Sequence, residues 1–387
     1  MKKTLFAAAV TGAFAMTAHA QSSVTLYGLL DAGLVFSNNQ GGHQDYQQSS
    51  GSLTTSVFGL QGNEDLGGGL HAVFKLESGF NINSGALAQR NALFGRQAYV
   101  GLASDQYGTV TLGRQFDSMV DYVSPLAMTG AGDGNNLAAH PFDNDNLSSS
   151  FSINNAVKYT SPTYNGLKAG ALYGFSNEAG GFSDNRAYSF GVSYQNGPVN
   201  AAAGYMELNN AAGGIAQTNP NGAVSQQDND STFQAQRQRE WGAGASYVVG
   251  PATVGFVWTH TQLDGIGGVN VGGEFFGDIG GADLHLDNYE INGKYALTPM
   301  LSLAAAYTYT DGHFTDGATS AHPKWQQGTL EADYSLSKRT DVYVEGVYQH
   351  ADGGPNGSVF SDAAINTLTP SSTDNQVAAT VGLRHRF

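Results

Sequence analysis

The chain has 387 residues, a formal net charge of −15 at pH 7, 52 Gly, 19 Tyr, 20 Phe and no Cys. The lack of Cys excludes disulfides, thiolate metal sites and a cysteine nucleophile, and the acidic balance lacks the basic footprint that nucleic-acid binding needs. Length would allow two ordinary domains, but no linker divides the chain and one alternating pattern runs to its last residue.

The chain opens with Met1-Lys2-Lys3, an apolar stretch from Leu5 to Met16, and Ala18-His19-Ala20. A basic start, a short apolar core and a small-x-small site describe a secretory signal peptide. Residues 1–20 are therefore expected to be removed, leaving one domain over 21–387. The apolar run is shorter than the ~20 residues that a spanning helix requires. Removing Lys2 and Lys3 takes the charge from −15 to −17.

Beyond this point the period is two. Val24, Leu26, Gly28, Leu30, Ala32, Leu34 and Phe36 share one face; Thr25, Tyr27, Asp31 and Gly33 share the other. Leu70, Ala72, Phe74 and Leu76 alternate with His71, Lys75 and Glu77, and Leu167, Ala169, Ala171, Tyr173 and Phe175 with Lys168, Gly170 and Gly174. Tyr289, Ile291, Gly293 and Tyr295 alternate with Glu290, Asn292 and Lys294. At the end, Val377, Ala379, Val381, Leu383 and Phe387 oppose Thr380, Gly382, Arg384 and Arg386. Alternation fits either a soluble sandwich, core against solvent, or a membrane barrel, lipid against lumen.

The connections separate the two. Short turns (64–68, 161–166, 196–198, 250–251, 298–299, 337–339) alternate with long polar segments at about 37–51, 117–152, 210–238, 265–286 and 351–374. Compact soluble domains seldom carry so many long loops, whereas short turns on one side and long loops on the other are the layout of an outer-membrane barrel. One strand between each pair of connections gives 16, an even count that closes an antiparallel sheet. In lipid, closure is obligatory because each unpaired backbone group costs several kcal/mol. The expected fold is all-β, a transmembrane antiparallel 16-stranded barrel with long extracellular loops.

Several segments resemble Gram-negative general diffusion porins, nearest to the betaproteobacterial and neisserial type. Ser23-Val-Thr-Leu-Tyr-Gly-Leu-Leu-Asp-Ala-Gly33 resembles that family's first strand, and Phe58-Gly-Leu-Gln-Gly-Asn-Glu-Asp-Leu-Gly67 its second strand and first turn. Phe94 to Leu102, Gly108 to Phe116, Val157 to Pro162 and Val381 to Phe387 resemble its fourth, fifth, sixth and C-terminal strands. The resemblance implies a homotrimer and a third loop folded into the pore. It also implies an outer-membrane setting of lipid and lipopolysaccharide, and recognition of Phe387 by the barrel insertion machinery. The enteric signature Pro-Glu-Phe-Gly-Gly is absent from that loop, so no enteric constriction detail carries over.

Passive permeation needs a water-filled bore, a narrow point and a field across it. The resemblance places residues 117–152 inside the barrel; they include Asp117, Asp121, Asp133, Asp143 and Asp145 and no Lys or Arg. The expected constriction sets Lys75, Arg96 and Arg114 on the wall against Asp117, Asp121 and Asp133 on the loop, with Arg384 and Arg386 as further wall candidates. Arg96 and Arg114 share parity with apolar neighbours, and facing lipid at midplane would cost about 2–4 kcal/mol each. The reading adopted turns Ala98 and Val100 toward the lumen and Tyr99 and Gly101 outward, with a bulge resetting Arg114. The alternative is that either arginine snorkels to the interface.

Among rivals, a hydrolase would need Ser, His and an acid within reach of one another, and the ten histidines are scattered, mostly in expected loops, as with His43, His140, His285, His313, His322 and His350. No enzyme activity, cofactor or metal is expected. Asp283-Leu-His285-Leu-Asp287 shares one strand face, but one imidazole and two carboxylates from one strand seldom complete a coordination shell. The expected function is passive diffusion of small hydrophilic solutes and ions with weak cation preference. The alternative is a channel specific for a sugar or dicarboxylate, which two lumen tyrosines, Tyr27 and Tyr343, support poorly as a stacking slide.

Overall fold

The computed structural model describes residues 23–89, 92–131, 136–209, 221–224, 233–317 and 319–387. Its strands are β1 Ser23–Gln40, β2 His43–Ser50, β3 Val57–Gly67, β4 Leu70–Gly79, β5 Gln97–Ser104, β6 Gly108–Gln115, β7 Ile153–Thr160, β8 Leu167–Gly174 and β9 Arg186–Asn196. There follow β10 Val199–Asn209, β11 Phe233–Val249, β12 Ala252–Val271, β13 Glu274–Ala296, β14 Leu301–Asp316, β15 Thr319–Ala321, β16 Lys324–Ser335, β17 Thr340–Asp352 and β18 Asn375–Arg386. All belong to one antiparallel sheet.

Two wall positions are split. The outer half of β1 pairs with β2, from Ala32↔Ser50 to Gln40↔His43, and its inner half with β3, from Ser23↔Asn63 to Leu29↔Val57. Likewise β15 and β16 both pair with β14, and Pro323, which has no N–H to donate, lies at their break. The wall therefore has the sixteen positions read from the sequence. It closes where β1 meets β18, Leu29↔Arg386 through Ser37↔Ala378. Phe387 and Gly28 extend that seam by exchanging two backbone hydrogen bonds of 3.0 Å.

The barrel is apolar outside and polar inside, as a bilayer requires. Val24, Leu26, Leu34, Ile291, Leu330, Val344 and Val381 are exposed, while Asp31, Glu240, Thr259, Asn288, Gln349 and Arg384 are buried. Phe190, Tyr205, Trp241 and His260 stand in register across β9 to β12, with successive rings 5.1, 6.1 and 4.6 Å apart. This is a girdle of the kind found at a membrane interface.

Two expected long loops are instead strands. Residues 37–51 are the upper part of a hairpin turning at Gly41-Gly42, and 265–286 are the tops of β12 and β13, turning at Gly272-Gly273. Polar and glycine-rich composition concealed them because the outward faces of these strand tops carry residues such as Asp45, Asp283 and His285, while Ile266, Val269, Leu284 and Leu286 pack inward. Parity in β5 also corrects the reading. Val100 and Leu102 are 58% and 53% exposed, and Tyr99 lines an interior cavity with Asp121 and Lys158. Simple alternation holds in β5, so Val100 faces outward and Tyr99 inward.

Candidate functional site

Three segments enter the barrel: residues 51–56, the described parts of 117–152 (117–131 and 136–152), and 353–374. The first hangs on Asp31 of β1. Asp31 Oδ2 accepts from the amides of Leu53 and Thr54 at 3.0 and 2.8 Å, and Oδ1 from the Tyr343 hydroxyl at 2.6 Å. The third packs Ile365 and Leu368 against Leu137 and Phe360 against Phe142, with ring centroids 5.5 Å apart. The three meet at Asn136, whose side-chain amide donates to Gly51 O at 2.7 Å and whose carbonyl accepts from Asn366 at 2.8 Å.

The middle segment is seated on a row of glycines. Gly170, Gly191, Gly204 and Gly242 stand in register across β8, β9, β10 and β11. The helical turns Met119–Val123 and Ser124–Leu126 lie on this bare strip of wall. A Cβ on Gly191 would come within 2.5 Å of the Tyr122 ring, and one on Gly204 within 3.1 Å of Met119 and Val123. Met119, Tyr122, Val123 and Leu126 become a buried cluster, each worth roughly 1.5–3 kcal/mol when fully covered.

Past Gly242 the same register row turns polar, through Thr259, Asn288 and Thr310, and it binds the segment's second half. Thr259 donates to Asp145 at 2.5 Å, Asn288 to the Asn144 side chain at 2.9 Å and Thr261 to the Asn144 carbonyl at 3.1 Å. His140 is fully buried between Asp145, at 2.6 Å from Nδ1, and Glu290 of β13, at 3.1 Å from Nε2. Burial alone would lower the His140 pKa, but the two carboxylates, Asp145 foremost, raise it to about 10. Burial raises Asp117 and Asp143 to about 6 each. Asp145 is also buried, yet His140 holds it below the usual carboxylate range.

The expected constriction residues separate into two groups. Lys75, Arg96 and Asp121 reach the lumen. Lys75 and Arg96 share Glu77, at 3.1 and 3.0 Å, and Tyr27 donates to the same carboxylate at 2.7 Å. Arg96 precedes β5 and so escapes its alternation; its guanidinium lies 5.1 Å from the Phe116 ring centroid and donates to Ser149 at 3.3 Å. Asp121 forms an ion pair with Lys158 of β7. Together with Gln97, Tyr99, Thr111 and Lys168 they line an interior cavity of about 330 Å³.

Arg114 and Asp117 are anchors instead. A bulge between Gly113 and Gln115, with Gly113 at φ 131°, turns Arg114 back into the wall. There it donates to the Gly95 carbonyl and to Asn154, both at 2.6 Å. Asp117 is fully buried, accepting from the amide of Met119 at 2.6 Å and from the Asn146 side chain at 2.7 Å. Arg384 is buried against Asp341 and Asp333, both at 2.9 Å, and Arg386 reaches Asp341 at 2.6 Å. Asp133 lies outside the described residues.

Asp283, His285 and Asp287 share a strand face but take separate partners. Asp283 accepts from the Gly265 amide at 2.9 Å, and Asp287 binds His260 at 2.9 Å and Trp258 at 3.1 Å. Among the described residues, no three His, Asp or Glu side chains converge as a metal site.

Sequence reasoning passed over Glu77, Lys158 and the His140–Glu290 pair. Alternation could have found the first two: Glu77 shares parity with Lys75, and Lys158 stands between Val157 and Tyr159. Nothing local links His140 to Glu290.

Comparison with known proteins agrees with this architecture. Residues 7–354 match the family model of Gram-negative porins. The chain is 32% identical to an outer membrane porin protein of Bordetella pertussis and 30% identical to outer membrane porin protein 32 of Delftia acidovorans, in each case over the whole of both chains. The solved anion-selective porin from Comamonas acidovorans superposes with a TM-score of 0.71 at 24% identity, covering 95% of this chain and 100% of that one. Porins are outer-membrane channels and not enzymes, and this chain belongs to the Gram-negative porin family.

Proposed function

We propose that this porin passes small hydrophilic solutes and ions by general diffusion. Its narrow point lies where Lys75, Arg96 and Lys158 on the wall face Asp121, with Glu77 between the first two. The carrying observation is that charges of both signs meet in the lumen at the inner edge of residues 117–152. Asp133 is assigned to the same inward segment, and Arg114 and Asp117 to holding it in place. The poverty of stacking surfaces supports general diffusion over a sugar-specific channel: Tyr343 is 2% exposed, covered by its bond to Asp31. Liposome swelling with a graded set of sugars tests this. A smooth fall of rate with solute size is expected, and saturation by one sugar would overturn it. Deleting about ten residues around Asp133 raises conductance if the segment narrows the bore.

The same reading includes a signal peptide cleaved after Ala20, a homotrimer, contact with lipopolysaccharide along the outer girdle, and Phe387 as the signal read by the insertion machinery. The family resemblance supports the trimer. A folded, unboiled sample that migrates as a monomer while retaining full channel activity would reject it.

A further inference from the structure

We propose that His313 and His322 form a surface site for a borderline transition-metal dication, such as Zn²⁺ or Cu²⁺, on the outer rim of the barrel. His313 lies on β14, and His322 lies in the break between β15 and β16. Both side chains are exposed. Their Nδ1 atoms are 3.4 Å apart, with ring centroids separated by 4.8 Å and planes inclined at 45°. That spacing is long for a hydrogen bond between two imidazoles. It matches the span of two nitrogens bound to one tetrahedral ion, since metal–nitrogen bonds of ~2.0–2.1 Å set such ligands about 3.3–3.4 Å apart.

The backbone holds the pair in place. The Gly312 amide donates to Pro323 O at 2.7 Å, and the His322 amide to Gly353 O at 3.1 Å. The residues beside both histidines are thus fixed to the neighbouring segment before any ion arrives. On the far side of His313, Nε2 faces Thr315 Oγ1 at 3.4 Å. A hydroxyl both donates and accepts, so this contact is compatible with the neutral tautomer that carries its proton on Nε2 and presents the Nδ1 lone pair to a metal.

The site opens to water. His313 is exposed on the same face of β14 as Tyr307, six residues further along the strand at about 3.4 Å rise per residue. With two protein nitrogens, the ion keeps water in its remaining positions. Imidazole favours zinc and copper over hard cations, so magnesium and calcium, which take oxygen ligands, should not compete.

The test is titration of the folded porin in detergent with Zn²⁺ in a large excess of Mg²⁺, with Cu²⁺ as a paramagnetic probe. One ion per chain and a copper spectrum carrying two imidazole nitrogens are expected. His313→Ala and His322→Ala each abolish that stoichiometric binding and its two-nitrogen signature. His260→Ala, two strands away on β12, and His285→Ala, on β13 directly across from His313, leave both in place. Folding of every variant is checked by heat-modifiable mobility. Absence of binding in the parent protein, binding unchanged in His313→Ala or His322→Ala, or equal loss in His285→Ala would overturn the assignment.

Discussion

The Asn146 side-chain amide donates to Asp117 Oδ2 at 2.7 Å, tying together two points of the inward segment that lie 29 residues apart. Asp117 also caps the helical turn that begins at Met119, so this one carboxylate both starts the loop and closes it.

Asp117→Ala therefore removes the side-chain acceptor of the Met119 and Val120 amides and leaves Asn146 held only by Phe151, a loss of about 1–3 kcal/mol per orphaned buried group. The barrel wall does not depend on that contact. The expected outcome is a folded channel with an unsteady loop, read as increased open-channel noise in planar bilayers. A noise spectrum indistinguishable from the parent would show that the wall contacts suffice without the tie.

Gly191 cannot take a side chain while Tyr122 lies on it at 2.5 Å from the added Cβ. Gly191→Val is expected to lift the loop from the glycine strip and change both conductance and size cutoff. Shortening the opposing ring by Tyr122→Ala in the same chain should restore them in part. Values unchanged in the single variant would mean that the strip does not set the loop's position.

His140 supplies the positive charge between Asp145 and Glu290. A histidine held above its ordinary value strengthens the folded loop in full at pH below ~6.5 and gives that contribution up as pH climbs through about 10. Channel fluctuations should stay low across neutral pH and rise steeply above about pH 10. His140→Gln should fluctuate already at neutral pH. A flat profile in the parent protein would show that the hydrogen bonds of Asn144 and Thr259 hold the loop unaided.

Glu77 pairs with both Lys75 and Arg96 and offsets one of their two positive charges. Glu77→Gln leaves two cations at the narrow point and should move reversal potentials, measured in a salt gradient, toward anions. Lys75→Gln should move them toward cations. In the parent, the acidic mouth raises local cation concentration at low salt. That influence fades as the Debye length shrinks from ~10 Å at 0.1 M to ~3 Å at 1 M. Weak cation preference that declines with salt is the expected pattern; a clear anion preference at every salt concentration would place the basic wall residues in control.

The wall was legible in the sequence because a barrel strand has only two environments. Val24 to Phe36 and Leu70 to Glu77 therefore announce their faces through a period of two. Residues 265–286 were not, because above the membrane Asp283, His285 and Asp287 face water on a strand and look like loop residues. Arg96 was placed in the lumen for the wrong reason: it is free of alternation, and β5 is regular. The loop acids were hardest to read. Asp117 and Asp121 differ by four positions and carry the same group, yet one is sealed in the loop's own fold and the other meets Lys158. Only long-range packing, with partners such as Asn146 and Glu290, distinguishes them.

That division has a consequence for how such channels diversify. Asp117, Asp143 and Asp145 are buried and serve to seat the loop, so changing them alters whether the loop is in place before it alters any field. Lys75, Glu77, Arg96 and Lys158 reach the bore from the wall or its rim, where the backbone ladder holds with almost any side chain. Substitution there can retune ion preference at little structural cost. Related chains can thus drift in selectivity while keeping one architecture, and a variant library aimed at a new preference belongs on β4, β7 and the lumen-facing Asp121, not on the loop's buried acids.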